Sequence, residues 1–149
     1  MAADIFAKIG DIKGESLDEK HKDQIELLSW SWGVAHGGGT GAKPMFHDLS
    51  FTHKIDSASP LLLQGCATGQ RLKEATITRR KAGEGQEDFL VIKMNDVVIT
   101  SVMETDGDES AVEAVSLAFA KVDLEYRPMR ADGSLDAAIH FKYDLKVGR

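Results

Sequence analysis

The sequence predicts a mainly β protein: an antiparallel barrel or tight two-sheet sandwich with one α-helix attached at about residues 59–68. Three observations predict the fold. Apolar residues recur at every second position through most of the chain, the period of a strand with one buried face. Turn-forming stretches such as Thr105-Asp106-Gly107-Asp108 and Ala131-Asp132-Gly133-Ser134 separate the long alternating runs at hairpin spacing. Only the stretch that opens with Ser59-Pro60-Leu61-Leu62-Leu63 and closes at Gly69 switches to a helical period.

Taken in order, Ile5-Phe6-Ala7-Lys8-Ile9 forms a first strand, stopped at Gly10. Residues 11–22 are polar and read as a surface loop, with a helical turn near Leu17-Asp18-Glu19-Lys20. Residues 28–34 read as one strand carrying both tryptophans: Leu28, Trp30, Trp32 and Val34 on one face, Ser29, Ser31 and Gly33 on the other. The Trp face needs a core, because each large aromatic has about 150–250 Å² to bury. The small polar face suits a wall on which something packs or slides, and equally an ordinary solvent face. Residues 36–44 carry four glycines and make a flexible excursion; Gly37, Gly38, Gly39, Thr40, Gly41 and Lys43 lie in it. It is not a phosphate cradle, since Ala42 separates Gly41 from Lys43 and Pro44 comes next.

Residues 46–55 alternate Leu49, Phe51 and Ile55 against Asp48, Ser50, Thr52 and Lys54. The helix then has a capping serine at Ser59, Pro60 at the first helical position and Gly69 as terminator. Residues 74–80 alternate Ala75 and Ile77 with Thr76 and Thr78, ending in Arg79-Arg80-Lys81, a solvated strand end or a partner for acids on another subunit. Gly83 and Gly85 make the next turn. Residues 88–103 form a long β-branched strand with a bend or bulge at Asn95-Asp96. After an acidic turn at 104–109 come a second long strand at 112–126 and a last one at 137–147, with Ala137, Ile139, Phe141, Tyr143, Leu145 and Val147 inward.

A chain of 149 residues fits one domain, 1–149. Its 18 basic and 24 acidic residues give −6, which argues against nucleic acid as a partner. No apolar run is long enough for membrane insertion as a helix. The N-terminus, Met1-Ala2-Ala3-Asp4-Ile5-Phe6, lacks the basic and apolar regions of a secretory signal, so the protein is expected to be made in a cytoplasm, and any export must use a route that ignores such signals. The single cysteine, Cys66, is expected to be a small buried hydrophobe.

Catalytic motifs are missing from the sequence. There is no Gly-x-Ser-x-Gly elbow, and His21, His36, His47, His53 and His140 are scattered. His47 and His53, read as sharing a strand, are about 20 Å apart at ~3.3 Å per residue and cannot share a metal. The histidines are expected to be surface or half-buried structural residues. Asp106 and Asp108 sit on a turn with no apolar pocket to raise a pKa. Catalytic residues, metal and cofactor are all expected to be none.

The ordered set Asp4-Ile5-Phe6, Gly14-Glu15-Ser16, Asp18, His21-Lys22, Gln24-Ile25-Glu26 and Ser29-Trp30-Ser31-Trp32-Gly33 resembles the Hcp family, the haemolysin-coregulated proteins that form the tube of the bacterial type VI secretion system. Phe51-Thr52-His53-Lys54-Ile55-Asp56, Ser59-Pro60-Leu61-Leu62, Val115-Ser116-Leu117-Ala118-Phe119-Ala120-Lys121-Val122 and the final strand extend the resemblance over essentially the whole chain. It implies a homohexamer whose rings stack into a tube inside a contractile sheath, capped by a VgrG spike. Sheath contraction drives the tube out of the cell, and the lumen binds and protects small effector proteins. It further implies that Ser31 faces the lumen and matters for effector binding. Ser29 shares that small polar face. The loop carrying Gly37–Gly41 and Lys43 is then the ring-to-ring contact.

Two other readings predict different things. A monomeric barrel binding a small ligand or carbohydrate predicts an internal cavity and a lone subunit in solution. An enzyme predicts a pocket with convergent titratable groups.

Overall fold

The computed structural model describes residues 4–81 and 87–149; the turn expected at Gly83 and Gly85 lies outside them. The strands are β1 (Ile5–Ile9), β2 (Ile25–Glu26), β3 (Ser29–Ser31), β4 (Val34–His36), β5 (Pro44–Phe46) and β6 (Leu49–Lys54). After the helix α1 (Ser59–Thr68) come β7 (Arg71–Arg80), β8 (Asp88–Asp106), β9 (Ala111–Tyr126) and β10 (Ile139–Asp144). The main sheet runs β2-β1-β7-β8-β9-β6-β3, all antiparallel, with β10 also on β9.

This sheet closes on itself through residues 25–31. β2 pairs with β1 and β3 pairs with β6, and they are consecutive in the chain. At the joint, Leu27 N–H donates to Ile5 C=O (2.9 Å) and Leu28 N–H to Thr52 C=O (2.8 Å). Closing the sheet removes the unpaired edges at both ends. The interior is filled: Leu49, Phe51, Ile92, Met94, Val97 and Leu117 are all buried. Each such large side chain stabilises the fold by about 1.5–3 kcal/mol.

α1 packs on β8 through Leu62 and Gly65, where an added Cβ on Gly65 would come within 3.2 Å of the Ile99 side chain. Its start differs from the sequence reading. Ser59 is the first helical residue, and its hydroxyl accepts from Asp56 N–H (3.1 Å), while the Asp56 carboxylate accepts from Ala58 N–H (2.8 Å). The expected terminator stands: Gly69 has φ +64°, a left-handed turn in which a side chain is strained. Cys66 is half-buried against the core rather than fully enclosed.

The expected single strand over 28–34 is two. β3 stays on β6, whereas β4 leaves after Gly33 to pair with β5 as a separate hairpin. The Trp face is divided accordingly: Trp30 and Trp32 are half-buried against the core, while Leu28 and Val34 are exposed. Trp32 holds the hairpin down, with ring centroids 5.8 Å from Phe119, 6.1 Å from Phe46 and 6.3 Å from Phe141.

In the three central strands the buried parity changes along one line. Leu72 gives way to Ala75 and Ile77 in β7, Met94 to Val97 in β8, and Phe119 to Val122 in β9. Glu74, Asn95 and Lys121 pair across that line, and Asp96 beside it has φ 52°. The bend expected at Asn95-Asp96 is therefore real, but register does not slip there. The slip is at Thr100, between Ile99 and Ser101.

Two expectations about the surface are corrected. The basic run at 79–81 is not simply a solvated end: Arg80 is buried, lies over the Phe6 ring and pairs with Asp18 of the same chain. The last strand, expected over 137–147, covers only Ile139–Asp144, and its inward face is incomplete: Ile139 is 62% exposed and Phe141 is exposed, as are Leu145 and Val147 in the turn that follows. Alternation marked these residues as apolar-facing, but within one chain little covers them.

Candidate functional site

The small polar face begins on β3 and continues across three further strands. Ser31 pairs with Ser50 on β6, Ser50 with Ser116 on β9, and Ser116 with Ser101 on β8, giving a row of four serines perpendicular to the strands. The next row is Ser29, Thr52, Ala114 and Met103. Hydroxyls in adjacent strands bond to one another: Ser50 Oγ to Ser116 Oγ at 2.9 Å and Ser29 Oγ to Thr52 Oγ1 at 2.7 Å. Along β9 the same face carries Ala114, Ser116, Ala118 and Ala120.

Backbone geometry places these groups. Period two puts Ser50 and Thr52 opposite the buried Leu49 and Phe51, and Ser116 opposite Val115 and Leu117. Ser101 is different. Val97 and Ile99 point inward, so unbroken alternation would send Ser101 inward too. The bulge at Thr100 exposes two successive residues and turns Ser101 out onto the wall. Thr100 itself donates to Asp48 Oδ2 (2.6 Å).

Chemically, these two rows offer short hydroxyls, methyls and one thioether. They hold no titratable group, so they cannot run acid–base chemistry; they can accept and donate hydrogen bonds on a smooth surface. Sequence reasoning found Ser29 and Ser31 but missed Ser50, Ser101 and Ser116. The alternating small residues of β9 were a usable signal for Ser116.

The same bulge turns Glu104 toward the inner side. There His53, Glu113 and Glu104 line up across β6, β9 and β8. His53 Nε2 and Glu113 Oε1 are 2.6 Å apart and both side chains are fully buried. Asp56 Oδ2 is 3.8 Å from His53 Nδ1. Burial, then hydrogen bonding and charge from Glu113, push Glu104 up to about 7. Burial also raises Glu113 and Asp56 and lowers His53. Titratable groups thus do converge, contrary to the sequence reading, but His53 and Glu113 are sealed in the core.

Of the other histidines, His36, His47 and His140 are at the surface as expected, and His21 is not. His21 is buried, stacked on Phe6 (4.4 Å) and bonded to Asp88 (3.0 Å) and Gln24 (3.1 Å). His47 precedes β6 and does not share its strand with His53. Among the described residues no group of three or more His, Cys, Asp or Glu could hold a metal ion. The loop Gly37, Gly38, Gly39, Thr40, Gly41 and Lys43 is exposed at the tip of the β4–β5 hairpin, apart from the serine wall in the sheet. Its turn is held by Gly38 N–H on His36 Nδ1 (2.9 Å) and Ala42 N–H on Gly39 C=O (3.1 Å).

Residues 6–126 match the family described as "Type VI secretion system effector, Hcp". This chain belongs to the Hcp family. It is 42% identical over 146 residues to Protein hcp1 of Pseudomonas aeruginosa, covering 91% of this chain and 90% of that protein. Hcp1 from Salmonella typhimurium has a similar solved structure, with TM-score 0.83 and 36% identity over 100% of this chain and 99% of the other. A type VI secretion system effector from Yersinia pestis gives TM-score 0.79 and 36% identity over 95% and 99%. As an Hcp protein the chain is a structural component of a type VI secretion system and one of its secreted proteins. The barrel-like β fold agrees with the sequence reading.

Proposed function

We propose that the chain is a tube subunit: one Hcp barrel over residues 1–149 that forms hexameric rings, which stack and are propelled by contraction of the surrounding sheath. The observation that carries this reading is the row Ser31–Ser50–Ser116–Ser101. A solvent-facing sheet usually carries Lys, Glu or Thr; four aligned serines bordered by alanines make a wall with little to snag a passing surface. Turned toward a ring's centre, it supports a lumen in which small effector proteins are held by weak, exchangeable hydrogen bonds. Ser31 and Ser29 then sit on the lumenal side.

The uncovered apolar residues Ile139, Phe141 and Val147 support a subunit interface, because large apolar side chains left exposed near one another in sequence suit association. A head-to-tail contact closes into a ring when its rotation divides the circle, and a ring with unlike faces can stack without limit. The exposed loop Gly37–Gly41 with Lys43 supplies the stacking contact. One copy per subunit makes weak contacts cooperative. VgrG caps the tube. The subunit works without catalysis or cofactor, is made in the cytoplasm and leaves with the tube. The filled interior favours this reading over a ligand-binding barrel.

Sedimentation of the purified protein tests the assembly. A hexamer that resists dilution is expected; a lone subunit at high concentration would overturn the proposal.

A further inference from the structure

We infer that His53, Glu113 and Glu104 form a proton-dependent latch that fastens the turn end of the long β8–β9 hairpin to the corner where β6 passes into α1. The row crosses all three strands in register, one pair short of the end of the β6–β9 ladder and two short of the end of the β8–β9 ladder. Beyond it, β6 holds the hairpin through the Lys54–Val112 pair and the Ile55 N–H bond to Ala111 C=O (3.1 Å). Only the turn itself, residues 107–110, extends past this anchor, and it is exposed. The latch is therefore positioned to decide how firmly that end of the hairpin is held.

The charges around it explain why it needs a proton. β6 supplies His53, with Lys54 next to it on the opposite face; β9 supplies Glu113; β8 supplies Glu104. The link to α1 supplies Asp56, and α1 the Ser59 hydroxyl. The loop over residues 11–24 adds Glu15, which accepts from Ser57 N–H (2.6 Å) and acts on Asp56. Four carboxyl groups thus act on or near one imidazole. His53 Nε2 meets Glu113 Oε1, but Glu113 Oε2 and His53 Nδ1, both buried, have no hydrogen-bond partner of their own. Glu104 is the cross-strand neighbour of Glu113, and its exposed carboxyl can carry a proton to that pair. Two bare carboxylates there repel, whereas one shared proton turns the repulsion into a hydrogen bond.

A carboxyl raised to about 7 in the fold contributes stability that is complete below its unfolded value and lost as pH rises through about 7. His53 is lowered, so it stays neutral at that pH and provides no compensating charge. The latch is fastened in mildly acidic conditions and loosens in mildly alkaline ones.

Hydrogen–deuterium exchange on the intact assembled protein, corrected for the intrinsic pH effect, tests this. Peptides covering residues 50–56 and 104–113 should lose about tenfold in protection between pH 6 and pH 8.5, while β1–β7 peptides hold theirs. Glu104→Gln keeps the size and carries donors permanently, so it should retain wild-type low-pH protection at both pH values. Its urea midpoint should also be level where the wild type falls. Protection of the wild type that ignores pH, or a Glu104→Gln variant that still loses it, would overturn the latch. Infrared spectroscopy of the wild type gives an independent reading: a protonated carboxyl band persisting near neutral pH is expected, and its absence would also overturn it.

Discussion

Ser50 and Ser116 meet hydroxyl to hydroxyl at 2.9 Å across β6 and β9, on the face turned away from the core. Each satisfies the other, which keeps the centre of the serine row flat. Ser31 and Ser101 flank them at the two ends. On this geometry a bulky group at Ser31 stands proud of an otherwise smooth wall. Ser31→Gln should leave the ring intact and weaken cargo binding about tenfold, ~1.4 kcal/mol. Protease protection of a co-expressed effector measures it; full protection would remove Ser31 from the lumen.

Deletion of Gly37–Gly41 shortens only the exposed tip of the β4–β5 hairpin, while Trp32 still packs on Phe119. Hexamer mass should be unchanged, and tube growth followed by electron microscopy should fail. Tubes of normal length would place the ring-to-ring contact elsewhere.

Ile139 is 62% exposed on β10. Ile139→Asp should shift the monomer's stability by no more than about 0.5 kcal/mol, the usual range for surface changes. Ring formation should nevertheless drop, because a charge would enter an apolar contact. Sedimentation reads assembly and urea unfolding reads stability.

Asp18 holds the buried Arg80 guanidinium, whose hydrogen bond keeps the Asp18 carboxyl below its ordinary range. Asp18→Ala removes a charge-assisted hydrogen bond from a buried guanidinium and should destabilise by about 2 kcal/mol in urea titrations at pH 7. Its folded pKa is depressed, so this contribution exists above the unfolded value of about 3.9 and disappears as pH falls through the folded one. The mutant should converge on the wild type in acid.

Gly14 lies against the backbone of its own loop. A Cβ added there would be 2.6 Å from Gln24 O and 2.8 Å from Ile25 Cα. Neither can yield without moving β2. Gly14→Ala should cost about 2 kcal/mol, an overpacking-sized loss, measurable as a lowered urea midpoint.

Much of this fold was legible from residue pattern. β1 ends where Gly10 stops it, α1 ends at Gly69, and β9 alternates through nearly its whole length. Other features were not, for one physical reason: alternation reports a face, not a partner. Residues 28–34 keep their alternation through Gly33 while the pairing passes from β6 to β5. Ser101 and Glu104 point where they do because of one extra residue, and no residue type announces the bulge at Thr100. The burial of Arg80 depends on Asp18, sixty-two positions away. His53 looked like any strand histidine until its cross-strand neighbour proved to be Glu113.

The joint at Leu27 and Leu28 has a mechanical meaning. Two neighbouring amides tie opposite margins of the curled sheet to a single covalent thread, so the hoop cannot spring open there without tearing bonds on both sides of one peptide. Among the described residues β10 pairs with β9 alone, so its outer rim is where fraying under a pull would begin. The curled sheet is thus tethered at its seam, and its loose hem among the described residues is the strand that carries the uncovered Ile139.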